Sequence, residues 1–273
     1  MEEFTDISRL SLNQITTQRW NVREAVEGCV RGGVPYIALW RDKVAENGLS
    51  ESARLVQEAG LGVSSLCRGG WFPAGNAQEL KAHIEDNRRA IEEAATLGAE
   101  VLVLVCGPSA DRDIQGARSQ VEEAISEILP YAAEHGVKLG IEPLHPMFAA
   151  ERSVIVTLAE ANRLVQKFNH DNLGVVVDVY HVWWDAEVYK QIELATGKIL
   201  GFHVSDWLVP LPDMLLGRGM MGDGVIELRK LRRAVEQAGY QGPIEVEIFN
   251  QAIWDTPGDE VIKLMSARYL EHV

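Results

Sequence analysis

The sequence predicts an α/β protein, a (β/α)8 TIM barrel formed by residues 1–273 as a single domain. Three observations predict it. Short apolar runs alternate with longer amphipathic ones from end to end, in eight pairs. Glycines stand where the amphipathic runs stop, at Gly60, Gly98, Gly136 and Gly239, as they do where helices close. No glycine-rich phosphate turn follows the first strand, which disfavours the alternative, a doubly wound open sheet.

Taken in order, Leu10–Asn13 is the first strand and 22–30 its helix. Tyr36–Trp40 is the second strand, followed by a helix over 50–59. A strand over 63–67 leads to a long helix over 78–97. Residues 101–106, all valine, leucine and a terminal cysteine, form the clearest buried strand, because continuous apolar residues mark burial on both faces. A helix over 115–135 follows. The fifth strand begins at Lys138 and runs into Ile141-Glu142-Pro143, where the proline ends regular pairing. Its helix is expected over 154–168. Leu173–Asp178 is the sixth strand, with a helix over 186–195, and Ile199–Val204 the seventh. A long loop over 205–224 precedes a helix over 226–238, and the last pair is a strand over 243–249 and a helix over 258–270.

Composition narrows the function. A net charge of −14 argues against binding a nucleic-acid backbone, which needs a basic face, and against an anionic membrane surface. Cys29, Cys67 and Cys106 form no close pair and are expected to be buried, reduced thiols. The start, Met1 to Asp6, lacks the basic and apolar segments of a signal peptide, and no apolar run approaches a membrane span. A soluble, cytoplasmic protein is expected.

In a barrel of this kind the reactive residues gather at the C-terminal ends of the strands. Glu142, Asp178, His203 and Glu247 fall late in strands five to eight, so three carboxylates and one imidazole should converge at the mouth. That donor set suits Mn²⁺, with Mg²⁺ or Co²⁺ as alternatives, better than a thiolate-selecting metal. The bland alternative, four separately paired charges, requires the same coincidence on four adjacent strands. Glu245 shares a face with Glu247 and should lie deeper. His145, three residues after Glu142, is an acid/base candidate because imidazole titrates near neutrality. His181 is placed to reach the metal or substrate, or to orient Asp178. His83, His135, His170 and His272 fall on helices or helix ends and are expected at the surface. Trp40, Trp71, Trp183, Trp184, Trp207 and Trp254 follow strands, where they offer platforms for a sugar or aromatic ring or simply pad the loops. Arg218, between glycines in a flexible loop above the mouth, either clamps substrate oxygens or is solvated.

These residues resemble the xylose isomerase-like barrel superfamily of sugar isomerases, ketose 3-epimerases, inositol-catabolic enzymes and apurinic endonucleases. The marks are Ile141-Glu142-Pro143-Leu144, the run from Val177 to His181, the run from Gly201 to Asp206, Arg218-Gly219 with Gly222-Asp223-Gly224, and Gly239 to Pro243 leading to Glu247. The resemblance implies that Glu142, Asp178, His203 and Glu247 bind the metal and that Glu142 and Glu247 move the proton. It also implies that His181 and Arg218 hold substrate oxygens. The endonuclease branch fits poorly, for this chain is acidic.

One departure separates it from the ketose epimerases, which carry asparagine where this chain has His145. Glu142-Pro143-Leu144-His145-Pro146 resembles the catalytic subunits of C-glycoside deglycosidases, which pair with a small second subunit. The expected activity is therefore metal-dependent enolisation of a keto-sugar. Elimination from a 3-oxo-C-glucoside stands first, with Glu142, Glu247 and His145 catalytic and His181, Arg218, Trp40, Trp183 and Trp207 binding substrate. Isomerisation or 3-epimerisation of a free ketose is the alternative. A small second subunit or a homo-oligomer is the expected partner. A catalytically dead sugar-binding barrel would require a lost ligand, and none is missing.

Overall fold

Alternation along each strand decides which way the side chains face, and here it separates an apolar outer layer from a polar barrel axis. The computed structural model describes residues 6–273. Met1 to Thr5, the larger part of the stretch read for a leader, lie outside the described residues.

The strands are β1 (Leu10–Asn13), β2 (Tyr36–Trp40), β3 (Gly62–Gly70), β4 (Val101–Val105), β5 (Lys138–Ile141), β6 (Leu173–Asp178), β7 (Ile199–Val204), the short pair β8 (Asp206–Trp207) and β9 (Arg218–Gly219), and β10 (Ile244–Val246). Eight close into a parallel barrel in the order β1-β10-β7-β6-β5-β4-β3-β2, with β1 paired to both β10 and β2. Closure of the ring excludes the open sheet.

Leu10, Leu12, Leu102, Leu104, Leu139, Ile141, Val175, Val177, Phe202, Val204, Ile244 and Val246 face outward into one large core with the helices. Their alternates face the axis, where Cys67, Val101, Val103 and Val176 form a separate small cluster. Glu142, Asp178, His203, Glu245 and Glu247 share that inward parity. Gly140 is also inward, and a Cβ there would lie 2.7 Å from Val176 Cγ2 and 2.8 Å from Val101 Cγ1. The axis is too tightly filled for alanine.

The helices largely follow the expected order, with instructive differences. Expected as one helix over 50–59, the segment after β2 folds as two, Arg41–Asn47 and Leu49–Ala59, divided at Gly48, whose φ is 89°. The helix expected over 154–168 spans only Leu158–Phe168. Thr157 caps it and Glu160 returns the bond, while Val154 and Ile155 are buried in an extended segment bonded to Gly107 and Leu144. The loop over 205–224 contains the antiparallel ribbon β8–β9. Asp206, buried within it, accepts hydrogen bonds from the amides of Trp207, Gly222 and Ile226 and so ties the loop to itself. The three cysteines are buried and unpaired with one another. No helix among the described residues is long and apolar enough to cross a membrane.

Candidate metal centre

Parallel pairing puts the ends of β5, β6, β7 and β10 side by side. Asp178 is registered opposite His203, and His203 opposite Glu245, while Glu142 and Glu247 follow the last residues of β5 and β10. One ligand atom from each of Glu142, Asp178, His203 and Glu247 lies within 4.8 Å of the other three, and all four residues are buried. Glu245 lies on the far side of the imidazole. His203 Nε2 is 3.2 Å from Glu245 Oε2, while Nδ1 is 3.2 Å from Glu142 Oε1 and 3.7 Å from Glu247 Oε2.

These contacts are short but not aligned as hydrogen bonds: Glu142 Oε1 and both His203 nitrogens are buried without a hydrogen-bond partner. Buried donors and acceptors left in this way are costly and mark a missing partner. Arg218 offsets part of the charge, with Nη1 donating to Asp178 Oδ2 at 2.8 Å and to Glu247 Oε2 at 3.0 Å. Three oxygen donors and one nitrogen around a single point fit a divalent cation.

Burial and charge act in opposite directions here. Burial pushes Asp178 up to about 7 against the pull of Arg218. Burial also raises Glu142. For Glu247 burial works the same way but is overcome by Arg218 and then His203, which hold it below the ordinary carboxylate range. His203 is opposed by burial, yet Glu245, Glu142 and Glu247 hold it well above an ordinary histidine.

Asn13, the last residue of β1, knits the floor. Its Nδ2 donates to Glu245 Oε2 at 3.2 Å and Glu247 Oε1 at 3.4 Å, and its Oδ1 accepts from Trp40 Nε1 at 2.8 Å. Over the cluster lies a cavity of about 40 Å³ whose walls include Trp40, Arg68, Phe148, Arg152, His181 and Arg218. Space of this size holds an ion and a water or two. Beside it, sharing Trp40, Cys67 and Arg68, is an open groove of about 510 Å³ that Trp71 also lines.

Several expected site residues are held differently from the expectation. Arg218 is not in a flexible loop; it is 5% exposed, fixed by β9, with its guanidinium over the Tyr180 ring. His145 does not wall the cavity. Its Nδ1 accepts from the Met147 amide, and its ring packs 5.4 Å from Trp184 and 5.1 Å from Trp207. What His145 contributes is its amide, which donates to His181 Nδ1 at 3.1 Å. That bond uses the lone pair of Nδ1 and leaves the proton of a neutral His181 on Nε2, 3.6 Å from Asp178 Oδ2. Arg218 Nη2, 3.1 Å from Nε2, can only donate, so these two nitrogens stand side by side as donors and are not hydrogen-bonded to each other. Burial and then Arg218 hold His181 well below an ordinary histidine, hence neutral.

Trp183 and Trp207 stand outside the cavity wall too, packed on each other at 5.4 Å, with Tyr180 beside Trp207. Trp254 donates to the Ile15 carbonyl. His83, His135, His170 and His272 are half-buried rather than solvated. Sequence reasoning passed over Asn13, Arg68, Phe148 and Arg152. Asn13 was findable, since an inward polar residue ends a strand; Arg152 sits in an aperiodic turn that carries no signal.

Residues 25–268 match the profile of the xylose isomerase-like TIM barrel family. The inosose isomerase of Halalkalibacterium halodurans is 24% identical over 270 residues, 93% of each chain. The ketose 3-epimerase of Arthrobacter globiformis is 24% identical over 219 residues, 78% of this chain and 68% of its own. A crystallised protein of Sinorhizobium meliloti is 46% identical, covers 98% of this chain and 99% of its own, and superposes with a TM-score of 0.95.

Proposed function

Because the chain belongs to the xylose isomerase-like TIM barrel family, we propose that it is a divalent-metal-dependent enzyme that enolises a keto-sugar and returns the proton elsewhere, as isomerases and epimerases do. The observation that carries this is the convergence of Glu142, Asp178, His203 and Glu247 within 4.8 Å, two of them carboxylates pushed apart in acidity. A cation held by these four supplies a Lewis acid that draws charge from a carbonyl oxygen and makes the adjacent C–H more acidic. Mn²⁺ is the ion we assign, with Mg²⁺ and Co²⁺ as alternatives.

Glu142 and Glu247 are the pair we assign to proton transfer, one taking the proton beside the carbonyl and the other returning one. The two carboxylates approach from β10 and β5, with β6 and β7 between them, so they address the substrate from different sides. His181 Nε2–H and Arg218 Nη2 present donors to substrate oxygens, their positions set by the His145 amide and by Asp178. The 40 Å³ cavity is too small for a sugar, so the substrate extends into the adjoining groove or the 208–217 segment that carries Leu215 moves aside.

Elimination from a 3-oxo-C-glucoside, with His145 as the acid or base and a small second subunit, ranks second. Its distinguishing residue faces Trp184 and Trp207 rather than the cavity. Proton NMR in D2O distinguishes the two. The manganese-loaded protein should exchange the C–H beside the carbonyl of a keto-inositol or ketohexose, and chelation should stop it. Release of aglycone from a 3-oxo-C-glucoside, without ketose exchange, would put elimination first. Neither reaction with any keto-sugar would defeat the enolising chemistry altogether.

A further inference from the structure

An acidic protein gains nothing by burying unpaired cations unless something anionic comes to meet them. Among the arginines near the barrel mouth, Arg41 is answered by Asp86 and Glu93, and Arg218 by Asp178 and Glu247. Arg68 and Arg152 have no carboxylate within 4.0 Å among the described residues; Arg68 interacts with Asp86, and Arg152 with Glu142, Glu151 and Glu247, only from farther off. Both are half-buried and both wall the cavity, and Arg68 also walls the groove. Each rests on an aromatic ring instead: the Arg68 guanidinium lies 4.2 Å from the Trp71 ring centroid and that of Arg152 5.9 Å from Phe148. Ring packing holds a guanidinium plane in place without using its N–H donors, which stay available for a planar, bidentate oxyanion.

Burial, then the charge of Arg152, pulls Arg68 below an ordinary arginine; burial, then the charge of Arg218, does the same to Arg152. Three guanidinium groups thus press on one small space, and one of them is neutralised by the carboxylate cluster. With a net charge of −14, the rest of the molecule repels anions, so a local cationic pair is what would select one.

We propose that the substrate is an anionic keto-sugar whose carboxylate or phosphate group is held by Arg68 and Arg152 at the junction of cavity and groove. The substrate class rests on the enolising chemistry above; the oxyanion site does not. The ketone then lies toward Glu142 and Glu247, and the oxyanion toward Trp71.

The test compares exchange into D2O of a ketohexose, its 6-phosphate and the corresponding keto-uronate by manganese-loaded protein. At least one anionic form should exceed the neutral ketose in kcat/KM by roughly 10–100-fold, about tenfold per charge-assisted contact. Phosphate ahead of uronate assigns a phosphate, and the reverse a carboxylate. In Arg68→Gln/Arg152→Gln that preference should collapse to within about twofold with the metal content intact, while Arg68→Lys/Arg152→Lys keeps part of it. Equal use of neutral and anionic ketoses, or a preference that survives the double Gln variant, overturns the proposal. If no ketose exchanges, the enolising chemistry has failed and calorimetry decides the anion site alone. Inorganic phosphate or acetate binding that is lost in the double Gln variant supports it; no binding, or binding unchanged in that variant, overturns it.

Discussion

Arg218→Met removes the cation that stands between Asp178 and Glu247 while keeping most of the side chain's volume over Tyr180. Arg218 is what pulls Asp178 down to about 7 against burial, so without it Asp178 rises further, and at pH 8 it either takes up a proton or stays charged beside Glu247, each at a cost in stability. Breaking a buried pair by deleting one partner costs roughly 3–5 kcal/mol. Arg218 is 5% exposed, so solvent relieves little of this. At about 2.1 cal/mol/K per residue, unfolding of the 273-residue chain changes entropy by roughly 0.6 kcal/mol per degree. The metal-free variant should therefore melt about 5–9 °C lower in calorimetry. Saturating Mn²⁺ should close most of that gap, because the cation supplies the charge Arg218 supplied. A shift under about 2 °C without metal, or a gap that metal leaves untouched, refutes the electrostatic account of the site.

Above about pH 7, where His181 and His145, both held below an ordinary histidine, are neutral whether folded or unfolded, pH should act on the metal-free protein in one direction. Asp178 and His203 both titrate above their ordinary values when folded, so their stabilising contributions are present at low pH and lost as pH rises through those folded values. Glu247, held low, matters only below the ordinary carboxylate range. Melting temperature should thus fall between about pH 7 and 9, whereas metal affinity should rise over the same interval as the ligands lose protons; calorimetry and a metal titration at each pH check both slopes, and a metal-free Tm rising across that range contradicts them. His145→Ala should keep metal content and lose less than about tenfold in ketose exchange, since its ring lies off the cavity; a loss of 10²-fold or more, the worth of a positioned acid or base, would return His145 to the chemistry.

Period-2 alternation made the barrel legible, because an inward glutamate or histidine at a strand end interrupts a run of valine and leucine visibly. Glu142, Asp178, His203 and Glu247 come together because four parallel strands end level, which the pattern of runs already implies. What was not legible depends on local chain direction. Spacing alone put His145 near Glu142, but Pro143, Pro146 and the short turn Pro146–Phe148 carry its ring away toward Trp184. Arg68 lay one residue past the expected end of β3, a strand that runs on to Gly70. Glycines around Arg218 suggested mobility, whereas the loop is tied down by buried Asp206. The end of β2 at Trp40 was legible, but the helix Arg41–Asn47 that follows it directly was not, because its 7 residues are too few to show a period.

The central claim is that four side chains from consecutive barrel strands hold one divalent cation. Anomalous diffraction at the manganese edge, from crystals grown with Mn²⁺, tests it most directly. The account predicts one peak at the barrel mouth bonded to Glu142, Asp178, His203 Nδ1 and Glu247 at about 2.0–2.3 Å, with Glu245 on His203 Nε2. A peak ligated by Glu245 in place of Glu247, or no peak among these residues at saturating Mn²⁺, would contradict it.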